Sequence, residues 1–366
     1  MPSIITKERV YWPSDEPSVG YDLNGNAYVA GLYFNSGAGE YGFLAVQESS
    51  DGSHWGKPVV ALRQQPGQTF PFETGMAVDA NPGSPFVDNA YVSGVMDRID
   101  KTQVLVSHSS DGGATWTQAA VDAVQKYPEE DDFTRMAVGK DGTIYLNWLH
   151  CRGTNGSGGA LCPTVHMMFS KSTDGGNTWS PPLRVATVRM PHYWLLPNTN
   201  NVRVYNYPAI AVDNSDGPYS GNIYVVMYNW TGTYLHVQMI RSTDGGNTWS
   251  QPVYLAPKSD MHDQFFPAIS VSPTGKVGVS WLDRRNDPKD IDYQAFAAIS
   301  TDGGKTFGQN WQLTTAFSNP DTNGGNNWMG DYTGNTWKDD NTFIAAWMDS
   351  SNGVDMQEMV GGVRLK

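Results

Sequence analysis

Cysteine is scarce: the chain of 366 residues carries two, Cys151 and Cys162, too few for the stapled framework of a small disulfide-rich domain. Long apolar runs are absent, none approaching the ~20 residues that span a bilayer. The opening MPSIITKERV has no apolar core of the kind a signal peptide needs. Positive charge is in short supply, with 24 Lys and Arg against 37 Asp and Glu and a net charge of −13. That balance argues against nucleic acid or an anionic membrane as partner. Helical periodicity of useful length is missing as well, which leaves an all-β fold class.

What is present is a repeat. The ten residues KSTDGGNTWS at 171–180 return almost unchanged as RSTDGGNTWS at 241–250. Asp-Gly-Gly is a turn signal, because glycine reaches positive φ without strain and aspartate accepts bonds from the amides that follow it. Further copies are SSDGGATWT at 109–117, STDGGKTFG at 300–308 and a degraded SSDGSHWG at 49–56. Their aspartates, Asp51, Asp111, Asp174, Asp244 and Asp302, stand 60, 63, 70 and 58 residues apart, a period that points to a repeat architecture.

Between these turns a second element recurs: an apolar run, a Gly/Asn/Asp/Pro turn, then a run rich in Tyr, Val and Trp. VGYDLNGNAYVAGLYF and ISVSPTGKVGVSWLD are two examples. This is how a β-hairpin reads. Each unit therefore holds four strands, with the Asp-Gly-Gly turn late in the unit. A sixth unit at 330–365 supplies three strands and lacks that turn. The expectation is one domain over 1–366, a six-bladed β-propeller of four-stranded antiparallel blades. A strand from residues 3–11 would complete the last blade and remove two open sheet edges.

The motif Ser-x-Asp-Gly-Gly-x-Thr-Trp resembles the Asp box of the sialidase superfamily, and the likeness runs along essentially the whole chain. It implies that each box joins a third to a fourth strand on the face away from the active site, as a folding device. Function is then expected on the opposite rim. The loops between second and third strands carry Arg98, Arg152, Arg284 and Arg285, with Asp97 and His150. The connections between blades add Arg203, Tyr205, Tyr207, His192, Tyr193, Trp194 and Trp328. Aromatic faces stack on sugar rings and guanidinium forks grip carboxylates, so this set suits an acidic glycan. Of the adjacent Arg284 and Arg285, alternation along a strand sends one toward the channel, the other bracing the loop through Asp283 or Asp287.

Acidic residues precede the inner strands: Asp15, Glu16, Glu73, Asp131, Asp132, Asp263 and Asp331. Crowded carboxylates raise one another's pKa, as a general acid requires. Calcium at the channel mouth is the alternative use of such oxygens, and no cofactor is otherwise required. The family resemblance implies a tyrosine nucleophile, matched by Tyr332 in GDYTG with Asp331 beside it, and Asp97 or Glu73 as acid/base. Where the family opens its first inner strand with Arg-Ile-Pro, this chain has Asp15-Glu16-Pro17, and the loop of the family's acid/base aspartate offers Glu40. Three readings follow: a secreted, monomeric hydrolase of sialidase type acting on terminal acidic sugars, a lyase acting on a uronic acid through His150, His166, His192, Tyr205 or Tyr207, or a lectin. A disulfide between Cys151 and Cys162 and two free thiols are both open, the former suiting an extracellular protein.

Overall fold

Runs of β-branched and aromatic residues bounded by turn formers fold as strands from end to end, and the described residues contain no α-helix. The computed structural model describes residues 3–5, 10–35, 41–63, 71–98, 101–153, 162–323 and 328–365. No helix among them is long and apolar enough to cross a membrane. Six antiparallel sheets result, grouped in two compact units, residues 1–159 with 166–185 and residues 160–165 with 186–366.

In the first unit the opening sheet runs Ile4–Ile5, Val10–Tyr21, Ala27–Asn35, Tyr41–Ser49 and Val59–Arg63 in spatial order. The second is Pro71–Val78, Ala90–Arg98 and Lys101–Ser109, with Thr117–Ala120 and Gln125–Lys126 both on its outer strand. The third, Glu129–Val138, Ile144–Arg152, Thr164–Ser172 and Leu183–Arg189, extends past the unit's limits. One apolar cluster includes Tyr28, Leu44, Leu62, Met76 and Val92, and another Tyr91, Val104, Ile144, Leu146 and Trp148.

In the second unit the sheets are Ala209–Val212 to Val253–Tyr254, Gln264–Val271 to Asn310–Gln312, and Gly334–Asp339, Thr342–Asp349 and Gln357–Arg364. Strands Val277–Asp283 and Gln294–Ser300 are buried at every residue, so both their faces are covered. That is why their sequences, VGVSWLD and QAFAAIS, are largely apolar and lack polar alternation.

Each Asp-Gly-Gly stretch forms the turn from the third to the fourth strand. At Asp244, Ser242 Oγ donates to Oδ1 at 2.8 Å, the Thr248 amide to Oδ1 at 2.9 Å and the Thr248 hydroxyl to Oδ2 at 2.6 Å. The same pattern recurs at Asp111, Asp174 and Asp302. The degraded copy keeps the turn, with His54 Nδ1 at 2.7 Å from Asp51 where the others use a threonine hydroxyl. Asp244→Ala is expected to cost about 1 kcal/mol, since bonds in an open turn exchange for bonds to water. A shifted urea midpoint at unchanged slope would show it.

Two expectations meet a different arrangement or an answer. The described part of residues 3–11 pairs with its own neighbour, Ile4 with Tyr11 and Ile5 with Val10, and so joins the first sheet. A partner a few residues away costs little loop entropy. The sixth sheet has three strands among the described residues. Cys151 and Cys162 are joined in a disulfide.

Four inner strands share one irregularity. Pairing slips between Asp15 and Ser18, Phe72 and Gly75, Asp132 and Arg135, and Phe265 and Ala268. At each slip one residue is left-handed: Glu16 (φ 60°), Glu73 (61°), Phe133 (53°) and Phe266 (49°). Such conformations cost non-glycine residues on the order of 1 kcal/mol or more and concentrate where a side chain must be aimed.

Candidate active site

In the second unit, the stretch VRVYNYP ahead of strand Ala209–Val212 turns its residues alternately. Asn206 is buried, and its amide exchanges bonds with the Tyr228 backbone at 2.8 and 3.1 Å. That pairing sends Tyr205 and Tyr207 to the other side together. Tyr207 lies 5.4 Å from the Tyr332 ring, 6.0 Å from Tyr205 and 6.3 Å from Phe266. Thr333 Oγ1 donates to the Phe266 carbonyl at 2.9 Å and so ties the Tyr332 segment to the neighbouring inner strand.

Arg203 completes this cluster. Its guanidinium forks onto Asp331, Nε to Oδ1 at 3.2 Å and Nη2 to Oδ2, and lies over the rings of Tyr205 (5.0 Å) and Trp328 (5.6 Å). Trp328 Nε1 donates to the same carboxylate at 2.9 Å. Asp331 is nearly sealed, its side chain 3 % exposed, whereas Arg203 is 39 % and Trp328 40 % exposed. The arrangement presents a guanidinium edge, an indole and tyrosine rings around one buried carboxylate. A cation so oriented can grip an anionic group, and the rings can stack on a sugar.

Six of the residues singled out from the sequence therefore come together: Arg203, Tyr205, Tyr207, Trp328, Asp331 and Tyr332. Arg284 and Arg285 do not join them. Arg284 is fully buried, its Nη1 3.1 Å from Asp263 and 2.8 Å from the Pro197 carbonyl. Arg285 braces its own loop, bonding Asp283 through Nε (2.9 Å) and Nη2 and Asn310 through Nη1 (2.9 Å). Strand Val277–Asp283 is buried on both faces, so its last turn leads one arginine into the interior and not onto a rim. Phe266 escapes a reading of single motifs. It stands two residues after Gln264, as Tyr207 stands two after Tyr205, and aligning the units would have found it.

The remaining candidates lie in the first unit. Asp131 accepts Trp148 Nε1 and His150 Nδ1, both at 2.9 Å, on one oxygen. His150 Nε2 stands 3.3 Å from Glu129, which also meets Arg152 at 3.2 Å. The bond to Asp131 raises the His150 pKa despite burial. Glu16 accepts the Thr74 amide at 3.1 Å, next to Glu73 on its left-handed backbone. The side chains of Asp15, Asp97 and Arg98 lie outside the described residues, as does Glu40. Among the described residues one group of metal-ligating types is close together, Glu130 with Cys151 and Cys162, and the disulfide removes both sulfurs as thiolate ligands.

The carboxyls of Asp122 and Asp131 lie within hydrogen-bond reach of each other. Burial, then the Asp131 charge, pushes Asp122 up to about 8. A folded pKa above the usual ~3.9 means the folded chain holds this proton more tightly. The stability it contributes is complete at about pH 4 and below, and is lost as pH rises through about 8. Asp122→Asn cannot lose a proton and should flatten the fall in melting temperature over that window, as scanning fluorimetry would show.

No protein-family model matches the chain, and no curated protein does. Solved structures do. The Hadza microbial sialidase Hz136 superposes with a TM-score of 0.54 at 15 % identity, over 96 % of this chain and 65 % of that one. The intramolecular trans-sialidase from Ruminococcus gnavus, in complex with oseltamivir carboxylate, gives 0.52 at 13 %, over 97 % and 94 %. The fold is sialidase-like. An α-L-arabinanase from Penicillium chrysogenum, complexed with arabinobiose, shares it with a TM-score of 0.54 at 13 % identity, over 100 % and 99 %. This sialidase-like fold thus serves glycoside hydrolases of more than one kind, and the chain spans 65 % of the Hadza enzyme's length.

Proposed function

We propose that this protein is a glycoside hydrolase of sialidase type that acts on terminal acidic sugars of glycans outside the cell. The observation that carries the reading is the meeting of Arg203, Tyr205, Tyr207, Trp328 and Asp331 around Tyr332. In this reading the six sheets are blades of one propeller. Tyr332 Oη gives its proton to a rim carboxylate as it attacks the anomeric carbon, the bond to the leaving oxygen breaks, and that oxygen takes a proton from an acid, for which the sequence offers Asp97 and Glu73. Water then releases the sugar from the tyrosine. Arg203 holds the substrate carboxylate on its exposed side while Asp331 fixes the fork from behind, and Trp328 stacks on the ring. The chemistry needs no cofactor. The Cys151–Cys162 disulfide supports an oxidising location.

The test is an assay on an acidic oligosaccharide and its carboxyl-reduced counterpart. New reducing ends from the acidic member alone are expected. Ultraviolet absorbance from an unsaturated uronate would replace the hydrolase with a lyase, and binding without products would leave a lectin.

A further inference from the structure

The Arg284–Asp263 pair is poorly built for stability. Both side chains are fully buried. Asp263 takes the Leu235 amide at 2.8 Å on one oxygen and Arg284 Nη1 at 3.1 Å on the other. Arg284 lies 5.7 Å from the Phe265 ring and has no hydrogen-bond partner for Nε or Nη2 among the described residues. A buried guanidinium with donors unmatched is costly, and apolar side chains of similar volume often serve stability equally well or better. The pair's remaining bond explains its presence.

That bond runs from Nη1 to the carbonyl of Pro197, 87 residues away in sequence. Pro197 begins the tip of a small hairpin in which Leu195 faces Arg203. Leu196 N donates to the Val202 carbonyl and Val204 N to the Trp194 carbonyl, each at 2.8 Å. Left-handed non-glycine residues stand at the hairpin's entry, Tyr193 and Trp194, and in its tip, Asn198 and Asn201, so its backbone is not one it would hold unaided. Its base is held by Trp194 Nε1, which donates to the Cys162 carbonyl at 2.8 Å, and by Tyr228 Oη, which donates to the Val204 carbonyl at 2.7 Å. At its tip the other tethers, Asn198 to the Asp290 carbonyl at 3.3 Å and the Asn200 amide to Asp321 at 2.8 Å, are solvent-exposed, and Arg284 is the buried donor there.

We infer that Arg284 is a positioning residue, anchoring the Trp194–Val204 hairpin through Pro197 so that Arg203 is held where it forks onto Asp331. Asp263 keeps the guanidinium neutralised and aimed. This deepens the proposed function and rests on it only for the use made of Arg203. A purely structural pair would stabilise the fifth sheet. An anchor acts on the hairpin.

The experiment is hydrogen exchange on Arg284→Met/Asp263→Asn, in which no buried charge is stranded. Expected are at least tenfold faster exchange of the Leu196 and Val204 amides and unchanged protection of strand Val277–Asp283. The preference for the acidic oligosaccharide over its carboxyl-reduced counterpart should fall about tenfold through KM, with kcat little altered. If the hairpin amides stay as protected as in the wild type, the inference is overturned; equal loosening of hairpin and strand would also overturn it, by making the role structural. Should the double variant not fold, Arg284→Lys is read the same way. Selective loosening of the hairpin in a protein whose wild type shows no preference for the acidic member would uphold the anchor and sink the hydrolase reading instead.

Discussion

Tyr332→Phe should reduce turnover of an acidic glycan by about three orders of magnitude or more, on the order of 4 kcal/mol in the barrier. The change removes one oxygen. The ring keeps its place 5.4 Å from Tyr207, and the bond from Thr333 to the Phe266 carbonyl does not involve it. Melting temperature and KM should therefore stay close to wild type, and the loss should fall on kcat, as expected for an interaction made only along the reaction path. Residual activity above a tenth would place the nucleophile elsewhere. Mass spectrometry of the trapped, fluorinated substrate offers an independent check, because a glycosyl adduct should map to Tyr332.

The second large effect concerns the clamp. Arg203→Lys retains the charge and loses the planar fork that now takes both oxygens of Asp331. An ammonium is a point charge and cannot hold that carboxylate and a substrate carboxylate in one plane. We expect kcat/KM on the acidic substrate to fall by roughly ten- to a thousandfold, about 1.4 kcal/mol for each factor of ten, and mainly through KM. The carboxyl-reduced substrate should be nearly indifferent to the change. If both substrates weaken equally, Arg203 supports the aromatic rings and grips nothing.

Local chemistry was readable from the sequence wherever one turn fixes it. The Asp boxes announce themselves, because a short carboxylate must meet the amides that follow it whatever surrounds the turn. The Arg203, Tyr207, Trp328, Asp331 and Tyr332 set was also within reach, since the repeat places the segments that carry them at corresponding points. The direction of Arg284 was not. Alternation says that Arg284 and Arg285 diverge, but which one turns inward depends on the whole register of a strand covered on both faces. The pairing of Ile4–Ile5 with Val10–Tyr11 was equally hidden, because an apolar dipeptide suits any open edge. The Pro-Asn-Thr-Asn-Asn run within 194–204 does advertise a turn, but not where its tip docks, which contacts with Arg284, Asp290 and Asp321 decide.

The recurring left-handed slip has an evolutionary meaning. It occupies the same place in four inner strands while the residue there changes from Glu16 and Glu73 to Phe133 and Phe266. The backbone detour supplies the aim, so the side chain can be exchanged without re-engineering the sheet that carries it. A lineage with such sockets can trade an acid for an aromatic one blade at a time and try new chemistry on an unaltered chassis. Saturation mutagenesis at these four positions alone would sample that freedom, within the limit that Glu16, Phe133 and Phe266 are buried and their sockets accept side chains of similar bulk.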